Sequence, residues 1–441
     1  MILRDPVHGL VSFESEEEQV VERLMDTPEM QRLRRIRQLG VTNYAFPGAE
    51  HTRFAHAVGT AHVMKLLLAR LRQIHHALPF WQQVTTDRAR DALAAAFLHD
   101  VGHGPLSHLF EDAIPGTPHH EAWTERIVLE PSTGVHKVLA ALDPQMPERV
   151  AALVSGKHAR TEGGSGDPMP YLAKSVSGTL DVDRCDYLLR DAHSTGVRYG
   201  DYDLPWLFRS LRFSPAREGQ APGLAIDGAK GLPAIEAFIL ARLFMFQQVY
   251  LHKATRSAEW MIRTVLSRAS ACIASGDRLP QVPRAIDAGA HGQPLALGDY
   301  LELDDATIFT AIHAWEGARD QPLADLSRRV RARSLFKTYE LFGEQAIPPG
   351  RDEALAIARD IAEKRGLDPD TYVGLDVATD TPFGGEPEPL LVVFHKGPAR
   401  PLSDVSFILA RLAGQVLTRV RLILAPELRE EITAALAAIG T

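Results

Sequence analysis

The chain has 441 residues, 45% of them hydrophobic and 24% charged, and its 48 Lys and Arg against 56 Asp and Glu give a net charge of −8. These values are typical of a folded globular protein and exclude a largely disordered chain. The acidic balance argues against nucleic acid or an anionic membrane as the main partner, because both demand a concentrated positive surface.

The two cysteines, Cys185 and Cys272, are too few and too scattered for a disulfide framework or a thiolate metal site. No apolar run approaches the roughly 18 residues of a membrane span, and the first residues lack the apolar stretch of a signal peptide. We therefore expect a cytoplasmic protein with no membrane partner.

The first hundred residues contain the first predicted helices. The spacing of apolar side chains predicts helices at 17–37, 56–71 and 87–99. The first of them is broken at 26–28, where Asp26 is the expected N-cap of its second half.

The third helix has an unusual end. Residues 93–98 are apolar on all sides of the helix, which predicts that this end is buried. Gly102 and Pro105 cannot continue the helix. His99 and Asp100 are therefore expected at a buried helix end beside a turn, a common place for a functional site.

The rest of the chain contains a segment of linker composition and, later, a change from helices to alternating helices and strands. Residues 156–170 have a turn and linker composition that fits a mobile lid and a passive surface insertion about equally well. Residues 211–230 predict a β-hairpin and 232–275 a further helix. After residue 348 helices alternate with predicted strands at 372–377, 390–394 and 420–424.

These elements predict a mainly α fold with a β-hairpin insertion and a small C-terminal α+β lobe. We divide the chain into a domain at 1–275, which includes the hairpin, a helical extension at 276–347 and the lobe at 348–441.

Histidine is concentrated near the N-terminus, with eleven of the 18 histidines in the first 120 residues. Any one of them is more often a surface or core side chain than a ligand. Two histidines and two carboxylates nevertheless combine the residue types and placement of a mixed nitrogen and oxygen metal site, which suits iron, manganese or zinc. These four candidates are His56, His99, Asp100 and Asp183.

The motifs around these residues resemble those of the HD-domain phosphohydrolases, and among them the deoxynucleoside triphosphate triphosphohydrolases. The similarity includes the His99-Asp100 motif and extends over most of residues 1–340, whereas the C-terminal lobe is only loosely comparable. The other matching segments are 5–9, 32–40, 46–56, 120–121, 181–191, 250–253 and 333–337.

The resemblance implies a reaction. The four candidate ligands would hold a divalent transition metal that activates water, by lowering its pKa, for attack on the α-phosphorus of a dNTP. The products would be a deoxynucleoside and triphosphate, and Mg or Mn would accompany the substrate triphosphate. His108 is similar to the family's general acid, Glu111 and His120 would orient it, and His103 would touch phosphate.

Helical spacing supports a substrate site on its own. Asp183, Tyr187 and Asp191 are four residues apart and share one helix face. The resemblance implies that Tyr187 and Asp191 read the sugar, with no room for a 2′ hydroxyl, and that Arg184 replaces a family lysine. Gln38 and Leu39 resemble positions at the sugar edge and the base.

A cluster of cations is the candidate clamp for the triphosphate. Arg242, Tyr250 and Lys253 are spaced to share one face of the helix predicted at 232–275, and Arg53 would join them. A solvated basic face explains the same spacing equally well. Phe246 occupies a position where the vertebrate relative has a histidine, so contacts with the base are expected to differ.

The family also has nucleotide sites between subunits. Their residues are similar to Asp26, Arg34, Arg333 and Lys337. Activation by dGTP or another nucleotide is therefore a hypothesis, and the alternative is that these residues only form salt bridges in a homo-oligomer, a dimer or a tetramer.

The sequence is compatible with two other functions. The same metal site would suit another HD phosphohydrolase that acts on a nucleoside monophosphate or an alarmone. A nucleotide-sensing or single-strand nucleic-acid-binding module with a vestigial site is the other alternative, although the full ligand set and the net charge argue against it.

Overall fold

A computed structural model describes residues 1–114, 116–156, 170–214, 222–384 and 389–438. Over these residues the chain forms 22 α-helices and nine short strands, which confirms the mainly α fold. The linker predicted at 156–170 falls almost wholly outside the described residues.

The helices of the first half surround the longest of them, α3. In chain order they are α1 (Gln19–Met25), α2 (Pro28–Arg32), α3 (Arg53–Ile74), α4 (Thr86–Leu98), α5 (His108–Ala113), α6 (His120–Leu129), α7 (Gly134–Leu142), α8 (Met146–Val154), α9 (Pro170–Val176), α10 (Val182–Thr195) and α11 (Leu204–Arg209). Helix α3 packs against α4 and α10, and this contact places three helix ends side by side.

The second half continues with helices and ends in the mixed lobe. Its helices are α12 (Leu232–Met245), α13 (Lys253–Ala274), α14 (Arg284–Ala290), α15 (Leu297–Leu301), α16 (Asp305–Ala314), α17 (Gln321–Arg331), α18 (Gly350–Lys364), α19 (Pro369–Tyr372), α20 (Leu402–Val405), α21 (Leu409–Leu412) and α22 (Arg429–Ala437).

Nine strands form three small sheets in the described part of the chain. They are β1 (Ile2–Asp5), β2 (Gly9–Ser12), β3 (Leu211–Phe213), β4 (Leu224–Asp227), β5 (Lys337–Leu341), β6 (Val373–Asp380), β7 (Leu391–Val393), β8 (Arg400–Pro401) and β9 (Leu417–Leu424). Strands β1 and β2 form an N-terminal hairpin.

The predicted hairpin at 211–230 is present, with β3 antiparallel to β4. Strand β4 also pairs in parallel with β7, and β8 completes that sheet. In the other sheet β9 lies between β5 and β6. Both sheets therefore join strands from opposite sides of the predicted boundary at residue 348, and the division into domains stays a prediction.

The buried end predicted for α4 is confirmed, because every residue of 93–98 is buried. Its N-terminus begins at Thr85, whose hydroxyl accepts a hydrogen bond from the backbone N–H of Arg88. The capping role predicted for Asp26 is wrong. Thr27 is the N-cap of α2 because it directly precedes Pro28, the first helical residue, while Asp26 ends α1.

The single helix predicted at 232–275 is wrong as well. After α12 the chain forms a π-helical turn at Phe246–Tyr250, breaks at Leu251 and His252, and begins again as α13. The His252 ring caps α13 by accepting from the N–H of Ala254. This break separates Arg242 from Lys253, which lie on different helices.

One segment of the described chain, Leu232–Tyr250, is long and apolar enough to cross a membrane by length and composition, and 39% of its most apolar stretch is buried within the fold. A core helix of a globular protein has the same length and composition, so this segment by itself is weak evidence for a membrane span. Glu236 and Arg242 interrupt its apolar run, so the segment is not evident as a continuous apolar stretch in the sequence.

Candidate metal centre and active site

Three helix ends bring the predicted metal ligands together. His56 lies in the first turn of α3, His99 and Asp100 follow the last residue of α4, and Asp183 lies in the first turn of α10. Asp181 fixes this end of α10 by accepting a hydrogen bond from the N–H of Arg184. One ligand atom from each of His56, His99 and Asp183 lies within 4.8 Å of the others.

The donor atoms face a common point. Nε2 of His56 lies 3.2 Å from Nε2 of His99 and 2.9 Å from Oδ1 of Asp183. Nε2 of His99 lies 3.4 Å from Oδ1 of Asp183 and 3.4 Å from Oδ1 of Asp100. Asp100 is the most distant from His56, with 3.9 Å between its Oδ2 and the His56 Nε2.

The positions of the protons on the two histidine rings are compatible with a bound cation. Nδ1 of His99 lies 2.9 Å from the carbonyl oxygen of Ala96, which only accepts, so this nitrogen carries the proton. Nδ1 of His56 likewise donates to a carboxylate oxygen of Asp186 at 2.7 Å. In the neutral rings both Nε2 atoms then present lone pairs to each other and to two carboxylates, an arrangement that a divalent metal stabilises.

A buried polar network supports His56 from behind. Asp186 accepts from Nη2 and Nε of Arg190 at 2.9 and 2.8 Å, and its Oδ1 lies 2.6 Å from Nε2 of His8. Arg190 also donates to Asp5 at 2.8 Å. The N-terminal hairpin carries Asp5 at the end of β1 and His8 in the turn between β1 and β2. Both residues therefore attach the hairpin to the metal centre. The residues of this network lie in the matching segments 5–9 and 181–191, but the sequence pattern alone assigns none of them a role.

The ionisable groups of the site shift the pKa values of one another. Burial would lower the pKa of His56, but its hydrogen bonds with Asp183 and Asp186 outweigh burial and raise this pKa to about 10. For Asp183, burial would raise the pKa, but the charges of His99 and His56 outweigh it and hold the carboxyl ionised. A metal ion must therefore displace a proton that the two histidines and their carboxylates otherwise retain.

The guanidinium of Arg53 is bound by two side chains of the protein. It donates to Oδ2 of Asp100, and its Nη2 donates to Oγ of Ser107 at 2.7 Å. With only 4% of its surface exposed, Arg53 is fixed beside a candidate metal ligand. This position neutralises part of the negative charge of the two carboxylates.

The predicted acid and its neighbours form a second cluster. Nδ1 of His120 lies 3.2 Å from Oε1 of Glu111, and Nδ1 of His108 lies 3.8 Å from Oε2. The rings of His103 and His120 stack with their centroids 3.8 Å apart. Burial would raise the pKa of Glu111, but its contacts with the rings of His108 and His120 outweigh burial and lower this pKa, so Glu111 is a carboxylate. Burial lowers the pKa of His103 and keeps its ring neutral.

The residues predicted to read the sugar lie together on α10. Asp191 is buried, and the hydroxyl of Tyr250 donates to its Oδ2 at 2.7 Å. The ring of Tyr187 lies edge-on to that of Tyr250, with centroids 6.2 Å apart. Nε2 of His51 lies 2.8 Å from Oδ1 of Asp191. His51 was missed as a site residue, although it lies in the matching segment 46–56.

The residues predicted for the cation clamp have different surroundings. Arg242 is held by Asp380 at 2.8 Å and by the carbonyls of Thr381 and Pro382 at 3.0 and 2.7 Å. Lys253 is exposed at the first position of α13. The expectation that Arg242, Tyr250 and Lys253 share one helix face is wrong, because the π-helical turn and the break after it separate them.

The other predicted contact residues have varied surroundings. Arg184 donates to the carbonyl of Gly178. The backbone carbonyl of Gln38 accepts from Oγ of Ser107 at 3.1 Å, and Leu39 is half-buried against the core. Phe246 packs edge-on against Tyr250 at 5.0 Å between centroids.

The four residues predicted for an activating nucleotide are all exposed. Arg34 stacks on the ring of Phe54, 3.6 Å from its centroid, and Arg333 donates to the carbonyl of Tyr44 at 3.0 Å. Asp26 ends α1 and Lys337 begins β5. Within the described ranges no hydrogen bond or ion pair joins any two of the four, so a nucleotide site built from them stays a prediction.

Comparison with known proteins defines the family. A model of the HD domain matches residues 53–191, and a model of the HD associated region matches 207–438. The uncharacterized protein YwfO of Bacillus subtilis is 33% identical over 94% of this chain and 89% of its own length. The chain belongs to the HD-domain family. The HD domain spans all four candidate metal ligands and Asp191.

Two further comparisons relate this HD-domain protein to phosphohydrolases. A crystal structure of a phosphohydrolase from Bacteroides thetaiotaomicron matches with a TM-score of 0.77 and 26% identity, over 96% of this chain and 99% of that one. The deoxynucleoside triphosphate triphosphohydrolase SAMHD1 of Gallus gallus is 26% identical over 82% of this chain. This chain spans 60% of the length of that enzyme and 54% of the human one. The protein is an HD-type phosphohydrolase.

Proposed function

We propose that this HD-type phosphohydrolase hydrolyses deoxynucleoside triphosphates to a deoxynucleoside and inorganic triphosphate. The observation that carries the proposal is the combination of three groups in one fold: the candidate metal ligands, the histidine cluster linked to them, and the buried Asp191 with its partner Tyr250, on the same helix as Asp183. Relatives named as deoxynucleoside triphosphate triphosphohydrolases support this substrate class.

The metal centre would be formed by His56, His99, Asp100 and Asp183, with iron, manganese or zinc as the ion. When bound, such an ion supplies Lewis-acid chemistry, polarising a phosphoryl oxygen and lowering the pKa of a water molecule. The side chains around it hold this arrangement rigid. Arg53 orients Asp100, and Asp186 orients the ring of His56.

The leaving 5′ oxygen of the sugar needs a proton, because an alkoxide is a poor leaving group. His108 is the proposed donor, since it lies 3.8 Å from Glu111 and its side chain is 66% exposed, accessible to a substrate. Glu111 and His120 are proposed as positioning residues. The buried carboxylate of Glu111 lies within 4 Å of a ring nitrogen of both histidines. His103, whose Nε2 lies 3.3 Å from Asp100, is placed to contact a phosphate near the metal.

The sugar would be recognised by Asp191 and Tyr187. Each oxygen of the buried Asp191 carboxylate already has one neighbour, Tyr250 at Oδ2 and His51 at Oδ1, and each retains a second lone pair that could accept from a 3′ hydroxyl. The aromatic rings of Tyr187 and Tyr250 form a rigid wall where an additional 2′ hydroxyl would meet carbon atoms. Gln38 and Leu39 are proposed at the sugar edge and the base, and Arg184 at the phosphates.

The triphosphate would be bound with Mg or Mn. Lys253 is the proposed cation of the clamp, because it is exposed, whereas Arg242 and Arg53 already neutralise carboxylates of the protein. We further propose a cytoplasmic homo-oligomer. Asp26, Arg34, Arg333 and Lys337, all exposed, are proposed for a nucleotide such as dGTP at an interface between subunits.

Product analysis tests the proposal. The purified protein is incubated with manganese or magnesium and each of the four dNTPs, with GTP, a nucleoside monophosphate and an alarmone as alternative substrates. Deoxynucleoside and triphosphate in equal amounts are the expected products. Phosphate or pyrophosphate from one of the alternatives would assign another HD phosphohydrolase reaction, and no turnover with or without dGTP would contradict the proposal.

A further inference from the structure

A second group of potential metal ligands lies next to the first. It consists of His103 after α4, His108 and Glu111 on α5, and His120 at the start of α6. One ligand atom from each of the four lies within 4.8 Å of the others. Three nitrogens and one carboxylate oxygen are a common ligand set for zinc and other divalent transition metals.

Several buried atoms of this cluster have no partner. Among the residues that the structure describes, Nδ1 of His103 is buried and lacks a hydrogen bond, and the 3.2 Å contact between Nδ1 of His120 and Oε1 of Glu111 does not have hydrogen-bond geometry, so these two buried atoms are also unsatisfied. His103 is only 3% exposed and Glu111 8%. Unsatisfied buried polar atoms are rare in folded proteins, and three that converge at one point indicate a missing bound group.

The position of the proton on the His103 ring indicates the charge of the bound group. Its Nε2 lies 3.3 Å from the ionised Asp100, so the proton is expected on this nitrogen. Nδ1 then presents a lone pair toward Oε1 of Glu111, 4.0 Å away. A lone pair and a carboxylate oxygen that face each other repel, and a cation between them removes the repulsion.

We propose that His103, His108, Glu111 and His120 form a second site for a divalent transition-metal ion. His108 lies on the solvent side of the cluster and gives the ion a path of entry, while His103 links the two sites through its contact with Asp100. The site contains one carboxylate, whereas the first contains two. A single carboxylate leaves part of the charge of a divalent ion unneutralised, so we expect this site to bind the ion more weakly than the first.

The stacked rings add a further cost. His103 and His120 lie nearly parallel, with an angle of 15° between their planes, and a ring nitrogen binds a metal in the plane of its ring. The stack must open before both rings bind one ion. Loading of this site is therefore slower and weaker than loading of the first site.

Occupation of the second site has a consequence that rests on the proposed function. An ion bound by His108 and His120 takes the nitrogen lone pairs that would otherwise carry the proton for the leaving group. The first equivalent of metal then activates the enzyme, and the second equivalent inhibits it.

Metal stoichiometry tests the site without reference to activity. The apoprotein is prepared with a chelator, titrated with Co²⁺ and followed by visible absorption, and Zn²⁺ content is measured by elemental analysis after dialysis. The wild-type chain is expected to bind two ions, the second at least tenfold more weakly. His120→Asn and Glu111→Gln are each expected to bind one, and His99→Ala is expected to lose the tighter ion and keep the weaker.

The variants control for one another, because the ion kept by each shows that the chain is folded. One ion per wild-type chain at saturating metal, or two ions in Glu111→Gln, would overturn the proposal. If no dNTP is hydrolysed at any metal loading but two ions bind, the proposed function fails and the second site stands. A rate that rises with the second equivalent would overturn the inhibitory role.

Discussion

Nε2 of His8 lies 2.6 Å from Oδ1 of Asp186, the carboxylate whose other oxygen accepts from His56. The N-terminal hairpin thereby reaches the metal centre through a single intervening side chain. Asp186 is completely buried and satisfied on all sides, so it fixes the ring orientation of His56 before any metal binds. Removing a member of this network is expected to change metal affinity more than the fold.

The first prediction concerns His8. His8→Ala leaves one oxygen of Asp186 with fewer partners and loosens His56, which lowers metal affinity by about 10- to 100-fold. Competition with a chelator measures the dissociation constant. His8→Gln, which keeps a donor, is expected to restore part of the affinity, and His76→Ala, at an exposed position, is the matched control. Unchanged affinity in His8→Ala would contradict this role.

The second prediction concerns the metal ligands. His99→Ala combined with Asp100→Ala removes two of the four donors, so the chain is expected to lose the tightly bound ion and all measurable phosphohydrolase activity. Circular dichroism is expected to show the helical content of the wild type. Full activity in this variant would disprove a mechanism based on this centre.

The third prediction is a pH dependence of stability. Burial lowers the pKa of His62 to about 4, with the charges of His8 and Lys65 adding to the effect. The folded state then binds a proton less readily than the unfolded state, so stability is lost as pH falls from about 6.5 to about 4. Because the ring is partly exposed, we expect a loss of about 1–2 kcal/mol.

Chemical denaturation at several pH values measures this loss. His62→Gln does not titrate and is expected to lose less stability than the wild type between pH 6.5 and pH 4. The exposed His76→Gln serves as the control. Parallel curves for the wild type and His62→Gln would show that another group is responsible.

The fourth prediction separates the two cations of the proposed clamp. Arg242→Ala leaves Asp380, whose side chain is 7% exposed, without its ion-pair partner, and is expected to cost about 3 kcal/mol of unfolding free energy. Lys253→Ala removes an exposed charge, so we expect unchanged stability and an increased KM. Urea denaturation and steady-state kinetics measure both effects. An increased KM in Arg242→Ala with unchanged stability would contradict this prediction and indicate that Arg242 binds the triphosphate.

Much of the candidate site was predictable, because its signals are local. His99 and Asp100 follow an apolar helix end that Gly102 terminates, and Asp183, Tyr187 and Asp191 repeat at helical spacing. The structure brings these residues together. Their roles as ligands and contacts of a nucleotide stay predictions.

The remaining features depend on contacts between distant segments. The contact of His8 with Asp186 joins residues 178 positions apart, and that of Arg242 with Asp380 joins residues 138 apart. No local pattern indicates either pair. The π-helical turn at Phe246–Tyr250 was missed for the same kind of reason, since its residues have a helical pattern and their packing determines the break.

The most direct test of the proposed reaction is hydrolysis of a dNTP in water enriched in ¹⁸O, with the products separated and weighed by mass spectrometry. Attack on the α-phosphorus with departure of the 5′ oxygen predicts one ¹⁸O atom in the triphosphate and none in the deoxynucleoside. Deoxynucleoside monophosphate with pyrophosphate, or ¹⁸O in free phosphate, would contradict the account.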